Sequence, residues 1–536
     1  MTRDWLPRAA EISRDLVAGT SSPVVAVILR GRHREITSTL GAELPGASIR
    51  CHEVGLGIED LHLALAAHGP YDLVLDLAGG AGAGRRFRAL FFHARAGGSV
   101  VVRRPPAEND DLAPYLESAM SLNGRAEPPT RPFDPRPRDE VDLHALAASL
   151  VDVRVLPRFV IAANSVATLA KIPERVADRY FELTDRDSSV LARVPGETWP
   201  SRSVLRGSDP DRVADMPRMF KGPALSVREH RDVVCVPHAG VYADNVVLPD
   251  TYRRRKKRLR GAAVVDWSHW FARRPDVDPA PLPGRYFHLD NEWRGHFGHA
   301  MAEQVSKLWA WERAKGDDPA LRMLLLERPG HPVEPWELDL WEAAGVARDD
   351  IEVAPGPVRV ERLVTGSPAY GTPEGLHPIL GDTYARLGLA LDRGDDDRSW
   401  PARVFLSRRP TARRRCHNAD EVEALMRGAG FEVVYPEDHP LTVQATMARR
   451  AEVIAGFSGS GMFSVALADS PTHVIVIGSE SYTAINEYRL SSFIGHQVDM
   501  VWCRADRPVR GKPFFADFTY DDAREGRFLR QVLDEL

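Results

Sequence analysis

The sequence predicts an α/β protein with three doubly wound units, and three observations support this fold class. The chain has 536 residues, too many for one hydrophobic core when a domain averages about 150 residues. Strand-like and helix-like segments alternate in the first 105 residues and again from about residue 216. Such alternation indicates parallel sheets with crossover helices.

The first unit, 1–105, begins with the strand-like VVAVILR and continues through YDLVLDLAGG and ARAGGSVVV. Its order resembles the nucleoside-binding sheet of methyltransferases, which place a glycine-rich turn after the first strand so that backbone approaches the cofactor. Here that turn reads LRGRHRE, with Gly31 among bulky basic side chains. We therefore expect a degenerate methyltransferase-like domain. An active S-adenosylmethionine-dependent methyltransferase within a bifunctional protein is the alternative.

Residues 106–215 are predicted to form a linker and a connecting helical segment. The stretch 104–138 is dense in proline and charge, a composition with little to bury. Helical patterns follow in VDLHALAASLVDV and TLAKIPERVADRYFEL.

Two further α/β regions are predicted at 216–375 and 376–536. The first holds short strands and a long helix around GHAMAEQVSKLWAWERA. The second reads βαβαβαβ with short loops, from ARVFLSRR through HVIVIG to a terminal helix, the pattern of a doubly wound, Rossmann-type sheet. We expect these regions to form facing domains.

Composition and charge exclude several classes of protein. The 70 basic and 75 acidic side chains leave a formal charge of -5, which gives no reason to expect nucleic acid as a partner. No signal-peptide pattern and no apolar run of about 18 residues is present, so we expect no integral membrane segment and a cytoplasmic location. The basic run Arg253–Arg260 is expected to be a solvated loop; peripheral contact with an anionic surface is the alternative.

An arginine-rich stretch, SRRPTARRRCHN at 407–418, stands at the carboxyl end of the first strand of the third unit. Ligands bind at this edge of open α/β sheets. Guanidinium groups there suit bidentate, permanently charged pairing with a diphosphate. The candidates are Arg408, Arg409, Arg414 and Arg415. A solvated basic loop is the alternative.

A small-residue turn joins the predicted strand 453–457 to a helix from Met462. Backbone N–H groups at a helix start can face an anion, and the helix dipole adds to their attraction. The turn residues are Ser458, Gly459, Ser460 and Gly461. A glycine turn needed for packing alone is the alternative.

Two histidines and a carboxylate, His296, His299 and Glu303, fall at helical spacings of three and four residues. They are expected to share one helical face. A histidine near a carboxylate can act as general base, because its unperturbed pKa lies near neutrality. Metal binding and a structural histidine are the alternatives.

Glu480 and Tyr482 follow the predicted strand HVIVIG in GSESYTAINEY. They therefore project over the same carboxyl edge and are candidates to hold the ribose or base of a nucleotide. Helix capping by Ser481 or Thr483 is the alternative.

Three of these elements, in this order, resemble glycosyltransferase family 61 over about 216–510. The similar phrases are GHFGHAMAEQVSKLW, SRRPTARRRCHNADEVEAL with Asn418 before its helix, and VIAGFSGSGMFSVALADSPTHVIVI. One position departs from the family's pattern, since the family commonly has a histidine in a phrase like HGAGL where this chain has Ser458.

The resemblance implies an inverting enzyme of the GT-B type, with a pair of Rossmann-type domains preceded here by a third. It implies transfer from a nucleotide sugar, with a UDP-sugar expected, to a glycan, glycolipid or glycoconjugate, as in polysaccharide biosynthesis. His299, or His296, would be the base, and the arginines would stabilise the leaving diphosphate without a metal ion or other cofactor. A catalytically inactive glycan- or nucleotide-binding scaffold is the alternative that Ser458 raises.

Overall fold

A computed structural model gives the fold of most of the chain. The described residues are 4–31, 34–55, 57–122, 124–130, 136–184, 186–238, 240–251, 264–291, 293–328, 330, 332–371, 375–392, 400–409, 413–506 and 513–536. The basic run Arg253–Arg260 lies outside them, so both interpretations of it stay predictions. Within the described ranges no helix is long and apolar enough to cross a membrane.

The chain divides into two compact units, and each is assembled from several stretches of sequence. The N-terminal unit comprises Met1–Ser189, His230–Gly284 and Gly356–Leu363. The C-terminal unit comprises Val190–Glu229, Arg285–Pro355 and Val364–Leu536. The C-terminal unit thus takes residues from both regions predicted as facing domains.

The first part of the chain forms a mixed sheet flanked by helices. Its strands are β1 (Val24–Leu29), β2 (Ser48–Glu53), β3 (Tyr71–Asp76), β4 (Ala94–Arg103), β5 (Leu150–Val155) and β6 (Phe159–Asn164). Its helices are α1 (Leu6–Leu16), α2 (Arg34–Glu43), α3 (Ile58–Ala66), α4 (Ala83–Leu90), α5 (Ala113–Ser121), α6 (Arg138–Ser149) and α7 (Ala177–Leu183). The next strand in the chain, β7 (Thr168–Lys171), belongs to a different sheet.

The strand order of this sheet is β2-β1-β3-β4-β6-β5. The first four strands are parallel, as alternation predicted, and β6 pairs antiparallel with both β4 and β5. One expectation failed in the segment after β6: TLAK is a strand and the helix begins only at Ala177. Ile172 precedes Pro173, and the residue before a proline is sterically biased away from helical backbone.

The middle of the chain contains strands of two to twelve residues. They are β8 (Ser188–Val194), β9 (Glu197–Pro200), β10 (Val204–Gly207), β11 (Met219–Gly222), β12 (Leu225–Val236), β13 (Gly240–Ala243), β14 (Val246–Val247), β15 (Phe271–Arg273), β16 (Ala280–His288), β17 (Arg322–Leu326), β18 (Ile351–Ala354), β19 (Val358–Gly366), β20 (Tyr370–Gly371) and β21 (Gly375–Leu376). The helices are α8 (Pro210–Asp215), α9 (Phe297–His299), α10 (Leu308–Asp317), α11 (Pro335–Ala343) and α12 (Ile379–Leu391). In the C-terminal unit β16, β17 and β18 are parallel neighbours.

The last part of the chain forms the sheet that positions the site. Its strands are β22 (Arg403–Leu406), β23 (Glu432–Val434), β24 (Val453–Phe457), β25 (His473–Ser479) and β26 (Gln497–Cys503). Its helices are α13 (Ala419–Gly428), α14 (Leu441–Arg450), α15 (Asn486–Ser491) and α16 (Gly526–Asp534), with a 3₁₀ helix at Ser460–Leu467.

All six strands of this sheet are parallel, in the order β10-β26-β25-β24-β22-β23. The predicted doubly wound sheet is therefore confirmed. Val404 and Leu406 of β22 pack into one apolar cluster, whereas Phe405 packs into another on the opposite face. Parallel sheets need such cover on both faces.

Candidate active site

The carboxyl ends of β22 and β24 mark the switch point of the parallel sheet. The chain leaves β22 toward β23 at one edge and then returns to β24 on the other side of β22. In open α/β sheets ligands bind in the crevice at this point. Arg408 follows β22 closely and Ser458 follows β24 directly, so two of the predicted elements meet there.

Two of the four candidate arginines converge in front of the glycine turn. The Nη1 of Arg408 donates a hydrogen bond to the Ser458 carbonyl at 3.2 Å. A Cβ added at Gly459 would lie 3.5 Å from Arg408 Nη1 and 3.9 Å from Arg414 Nη2. Burial, and then the nearby Arg414, lower the pKa of the Arg408 guanidinium. Concentrated positive charge of this kind favours a bound anion.

The other two arginines have different partners. Arg409 forms an ion pair with Asp438, and its guanidinium lies 4.1 Å from the centroid of the Tyr435 ring. Arg415 Nη2 lies 3.2 Å from His417 Nδ1. The structure therefore separates Arg409 and Arg415 from the pair at the turn.

Asn418 joins the arginine loop to the C-terminal segment. Its Nδ2 donates to the Tyr520 carbonyl at 2.9 Å, and its Oδ1 accepts from the Tyr520 N–H at 3.0 Å. A donor-binding role for Asn418 remains a prediction, and its observed contacts fix the loop that carries Arg414.

Ser458 does not face the crevice. Its side chain is 4% exposed, and a Cβ added at Gly478 would lie 2.2 Å from its Oγ. The hydroxyl therefore points at the backbone of β25. After Gly459, Ser460 and Gly461 begin the 3₁₀ helix. The first N–H groups of a helix have no partner within it.

The histidine segment packs directly on this turn. A Cβ added at Gly298 would lie 2.8 Å from the Cβ of Ser460. The predicted long helix is present as a continuous helical stretch whose type changes along its length: α9 ends at His299, a π-helical turn covers Ala300–Gln304, and a 3₁₀ turn precedes α10. His296 is extended and only caps the segment, so it does not share a regular helical face with Glu303. π-helical turns are frequent at functional sites.

His299 and Glu303 form a hydrogen-bonded pair, as their spacing predicted. The His299 Nδ1 lies 3.0 Å from Glu303 Oε1, and Glu303 Oε2 accepts from Asn291 Nδ2 at 3.0 Å. The Trp293 ring stacks on the imidazole at 5.7 Å between centroids and 20° between planes. Among the described residues no hydrogen bond to the His299 Nε2 is found. Its accessible ring nitrogen is therefore the one opposite the carboxylate.

His296 is a neighbour of His299 and interacts electrostatically with Arg414. Its ring centroid is 4.9 Å from that of His299. Burial lowers the pKa of His296, and the nearby His299 and Arg414 lower it further. His296 is consequently neutral at neutral pH.

Glu480 and Tyr482 occupy different environments at the carboxyl edge of β25. Glu480 Oε2 accepts from Arg524 Nη2 at 3.3 Å, and its Oε1 accepts from the Ala505 N–H at 3.3 Å. The Tyr482 ring lies under the Arg414 guanidinium at 4.5 Å, and burial raises the pKa of its phenol. Tyr482 thus joins the arginine pair, whereas Glu480 contacts the C-terminal segment.

Sequence reasoning missed several residues around the site. Phe514 packs against Tyr482 at 5.1 Å between centroids, and Arg413 lies 4.6 Å from the Phe515 ring. Asn291 holds Glu303, and Glu487 accepts the Gly459 N–H. Asn291 stands in the segment HLDNEWRGH, just before the candidate histidines, and Glu487 stands in GSESYTAINEY. Their nearness in the chain to predicted site residues was the available signal.

Comparison with known families supports the same region. Residues 297–475 match the family model described as Glycosyltransferase 61, a narrower span than the predicted 216–510. The match includes His299, Glu303, both converging arginines and the glycine turn, and it excludes His296, Glu480 and Tyr482. No curated protein matches the chain. Residues 297–475 are therefore similar to the Glycosyltransferase 61 family, and this similarity covers the region that holds the candidate site.

Proposed function

We propose that the chain transfers a sugar, with inversion, from a nucleotide diphosphate donor to a hydroxyl of a glycan or glycoconjugate. The observation that supports this most is the meeting of three groups in one compact unit: the arginine pair, the glycine turn, and the His299–Glu303 pair. An inverting transfer needs a proton acceptor on one side of the anomeric carbon and stabilisation of a leaving diphosphate on the other.

The proposed transfer is a single displacement at the anomeric carbon of the donor sugar. The acceptor oxygen bonds to the anomeric carbon while the bond from that carbon to the diphosphate oxygen breaks. The hydroxyl proton passes to Nε2 of His299, and the bonding electron pair leaves on the diphosphate. The products are a glycoside of inverted configuration and a nucleoside diphosphate.

His299 is suited to take the proton because its tautomer is defined. A carboxylate accepts hydrogen bonds, so Glu303 fixes the proton on Nδ1 and leaves the Nε2 lone pair open. Asn291 orients Glu303 in turn. The positive imidazolium that forms is stabilised by the same carboxylate, as in other base–carboxylate pairs.

The leaving diphosphate is proposed to bind Arg408, Arg414 and the N–H groups of Ser460 and Gly461. The Gly459 N–H is not included, because Glu487 accepts it. Preorganised donors at the position where charge develops are worth about 2.7–4 kcal/mol each in other enzymes. We propose that these groups act in place of a divalent cation, with a UDP-sugar as donor.

Binding of UDP-sugars tests this proposal with a matched pair of variants. Arg408→Ala is expected to weaken UDP binding at least tenfold, whereas Arg409→Ala should change it less than about twofold, because Arg409 is exposed and paired with Asp438. Calorimetric titration with UDP, with and without a chelator, gives the dissociation constants. UDP binding that requires a divalent ion, or that is equally weakened by both variants, would contradict the arginine account.

A second candidate function is a nucleotide- or glycan-binding scaffold without turnover. The burial of the Ser458 hydroxyl against Gly478 favours it, because this position then offers no group to the donor. A screen of nucleotide sugars for release of free sugar or nucleotide separates the two functions. Turnover that disappears in Arg408→Ala excludes the scaffold.

A further inference from the structure

A buried carboxyl group lies behind the turn that the arginines face. Glu487 is 0% exposed. Its Oε1 accepts the Gly459 N–H at 2.6 Å, and no described residue donates a hydrogen bond to its Oε2. The carboxyl group is therefore tied to the glycine turn through one oxygen.

Charged and titratable groups on several elements interact electrostatically with Glu487. Arg408 follows β22, and Arg414 lies in the loop before α13; both interact electrostatically with the carboxyl group. Tyr482, after β25, does so as well. Burial raises the pKa of Glu487, whereas backbone N–H groups and the two guanidinium groups favour its charged form. The two guanidinium groups therefore act on the carboxyl group electrostatically, and no ion pair joins them to it among the described residues.

Unusual backbone geometry accompanies this contact. Ile485, two residues before Glu487, has a φ of 45°, and Arg414 has a φ of 55°. A β-branched residue rarely enters this left-handed region. Such strain persists only where surrounding contacts fix it, and it clusters at functional sites. Both strained residues lie on segments that bring a charged group to the turn.

We propose that Glu487 is a positioning residue that holds the glycine turn and weakens the binding of the diphosphate by Arg408 and Arg414. This inference rests on the proposed function, since it takes the two guanidinium groups as the diphosphate site. Bond cleavage leaves extra negative charge on the diphosphate, so the same groups hold the product more tightly than the donor. Product release limits many enzymes, and the ionised form of the Glu487 side chain, which the two guanidinium groups favour, would speed release of the nucleoside diphosphate.

Glu487→Gln separates the two roles of this side chain. The amide oxygen still accepts the Gly459 N–H, but the negative charge is gone. Because the charge acts at short range in a buried site, we expect calorimetry to show UDP binding at least tenfold tighter than in the wild type. A merely structural role would give weaker binding. In a transfer assay the same variant should be inhibited by correspondingly lower UDP concentrations.

Asp438→Asn is the matched control. Asp438 also pairs with an arginine of the same loop, but it is exposed, so solvent and salt screen its charge. We expect the UDP dissociation constant of this variant to stay within about twofold of the wild-type value.

Each outcome for Glu487 decides the inference. Unchanged or weaker UDP binding in a Glu487→Gln protein that melts like the wild type overturns it. Failure of both Glu487→Gln and Glu487→Ala to fold also overturns it, because Glu487 would then be a structural residue. If UDP binding is lost in Arg408→Ala but unaffected in Glu487→Gln, the inference about Glu487 is wrong and the proposed function stands. Absence of UDP binding to the wild type removes the proposed function itself.

Discussion

The orientation of a single imidazole, that of His299, depends on Glu303 and Asn291. Replacing His299 with alanine removes the proposed proton acceptor. A positioned general base contributes about 10²–10⁴-fold to rate, so we expect sugar transfer to slow by that factor. The UDP dissociation constant should stay within about twofold, because His299 is not proposed to contact the diphosphate. Initial rates of transfer, measured beside UDP titrations, check both expectations.

His417→Ala is the control for this variant, because His417 pairs with Asp506 at the protein surface. Its transfer rate should match the wild type. Asn291→Ala should slow transfer less than His299→Ala does, by about 10–100-fold. This is the range seen when residues that orient metal-binding side chains are replaced. Full activity of the His299→Ala variant would show that another residue is the base.

The chemical type of a residue was readable from the sequence, whereas its contacts were not. His299, Glu303 and Arg408 were singled out because imidazole, carboxylate and guanidinium groups stood at helical spacing or at a strand end. Glu487 was missed because its partner, Gly459, is 28 residues away in the chain. Arg409 carries the same charge as Arg408, and only the fold shows that Asp438 pairs with it.

The element most sensitive to small changes is α9, which packs on the start of the 3₁₀ helix. Gly298→Ala adds a methyl group whose carbon would lie 2.8 Å from the Ser460 Cβ, so α9 and the turn must separate. We expect a folded protein with a lower melting temperature and transfer reduced at least tenfold. Thermal unfolding and initial rates measure the two effects.

Gly316→Ala, within α10, is the matched substitution. A Cβ there meets nothing within 4 Å, and alanine is favoured over glycine inside a helix by about 0.5–1 kcal/mol. This variant should be at least as stable as the wild type and fully active. Equal activity of the two variants would show that the packing of α9 on the turn does not matter to transfer.

The alternation of strand-like and helix-like segments was sufficient to predict the parallel strands, because a buried strand and an amphipathic helix have different hydrophobic periods. They were insufficient at α9. A π-helical turn at Ala300–Gln304 and a 3₁₀ turn at Val305–Lys307 interrupt the apolar stretch. These irregular turns depend on tertiary contacts such as Gly298 with Ser460, which no local pattern reports.

At the scale of the whole molecule, sequence order predicted consecutive domains, whereas each compact unit combines separate stretches. Strand β10, near residue 205, completes the sheet of β22–β26, and its pairing with β26 spans almost 300 residues of chain. Composition and periodicity are local properties. Pairing between distant strands is a property of the folded chain and has no local signal.

Buried neutral histidines in both units make the stability of the whole molecule depend on pH. Burial lowers the pKa of His62 to about 3 and those of His93, His288 and His496 below their usual range. The unfolded chain binds protons at these imidazoles below about pH 6.5, whereas the folded chain does not. The free energy of unfolding should therefore fall as pH decreases from about 6.5 toward 4, by up to about 1.4 kcal/mol per pH unit for each such group.

Urea unfolding at pH 7.5, 6.5 and 5.5 measures this dependence. His62→Asn is expected to be less stable at every pH, since it loses contacts with His93 and the Lys171 carbonyl. Its loss of stability between pH 6.5 and 5.5 should nevertheless be smaller than that of the wild type by about 1 kcal/mol, because one titrating group is gone. His417→Asn, at an exposed site, controls for removing an imidazole. An unchanged slope in His62→Asn would show that His62 is already protonated in the folded protein.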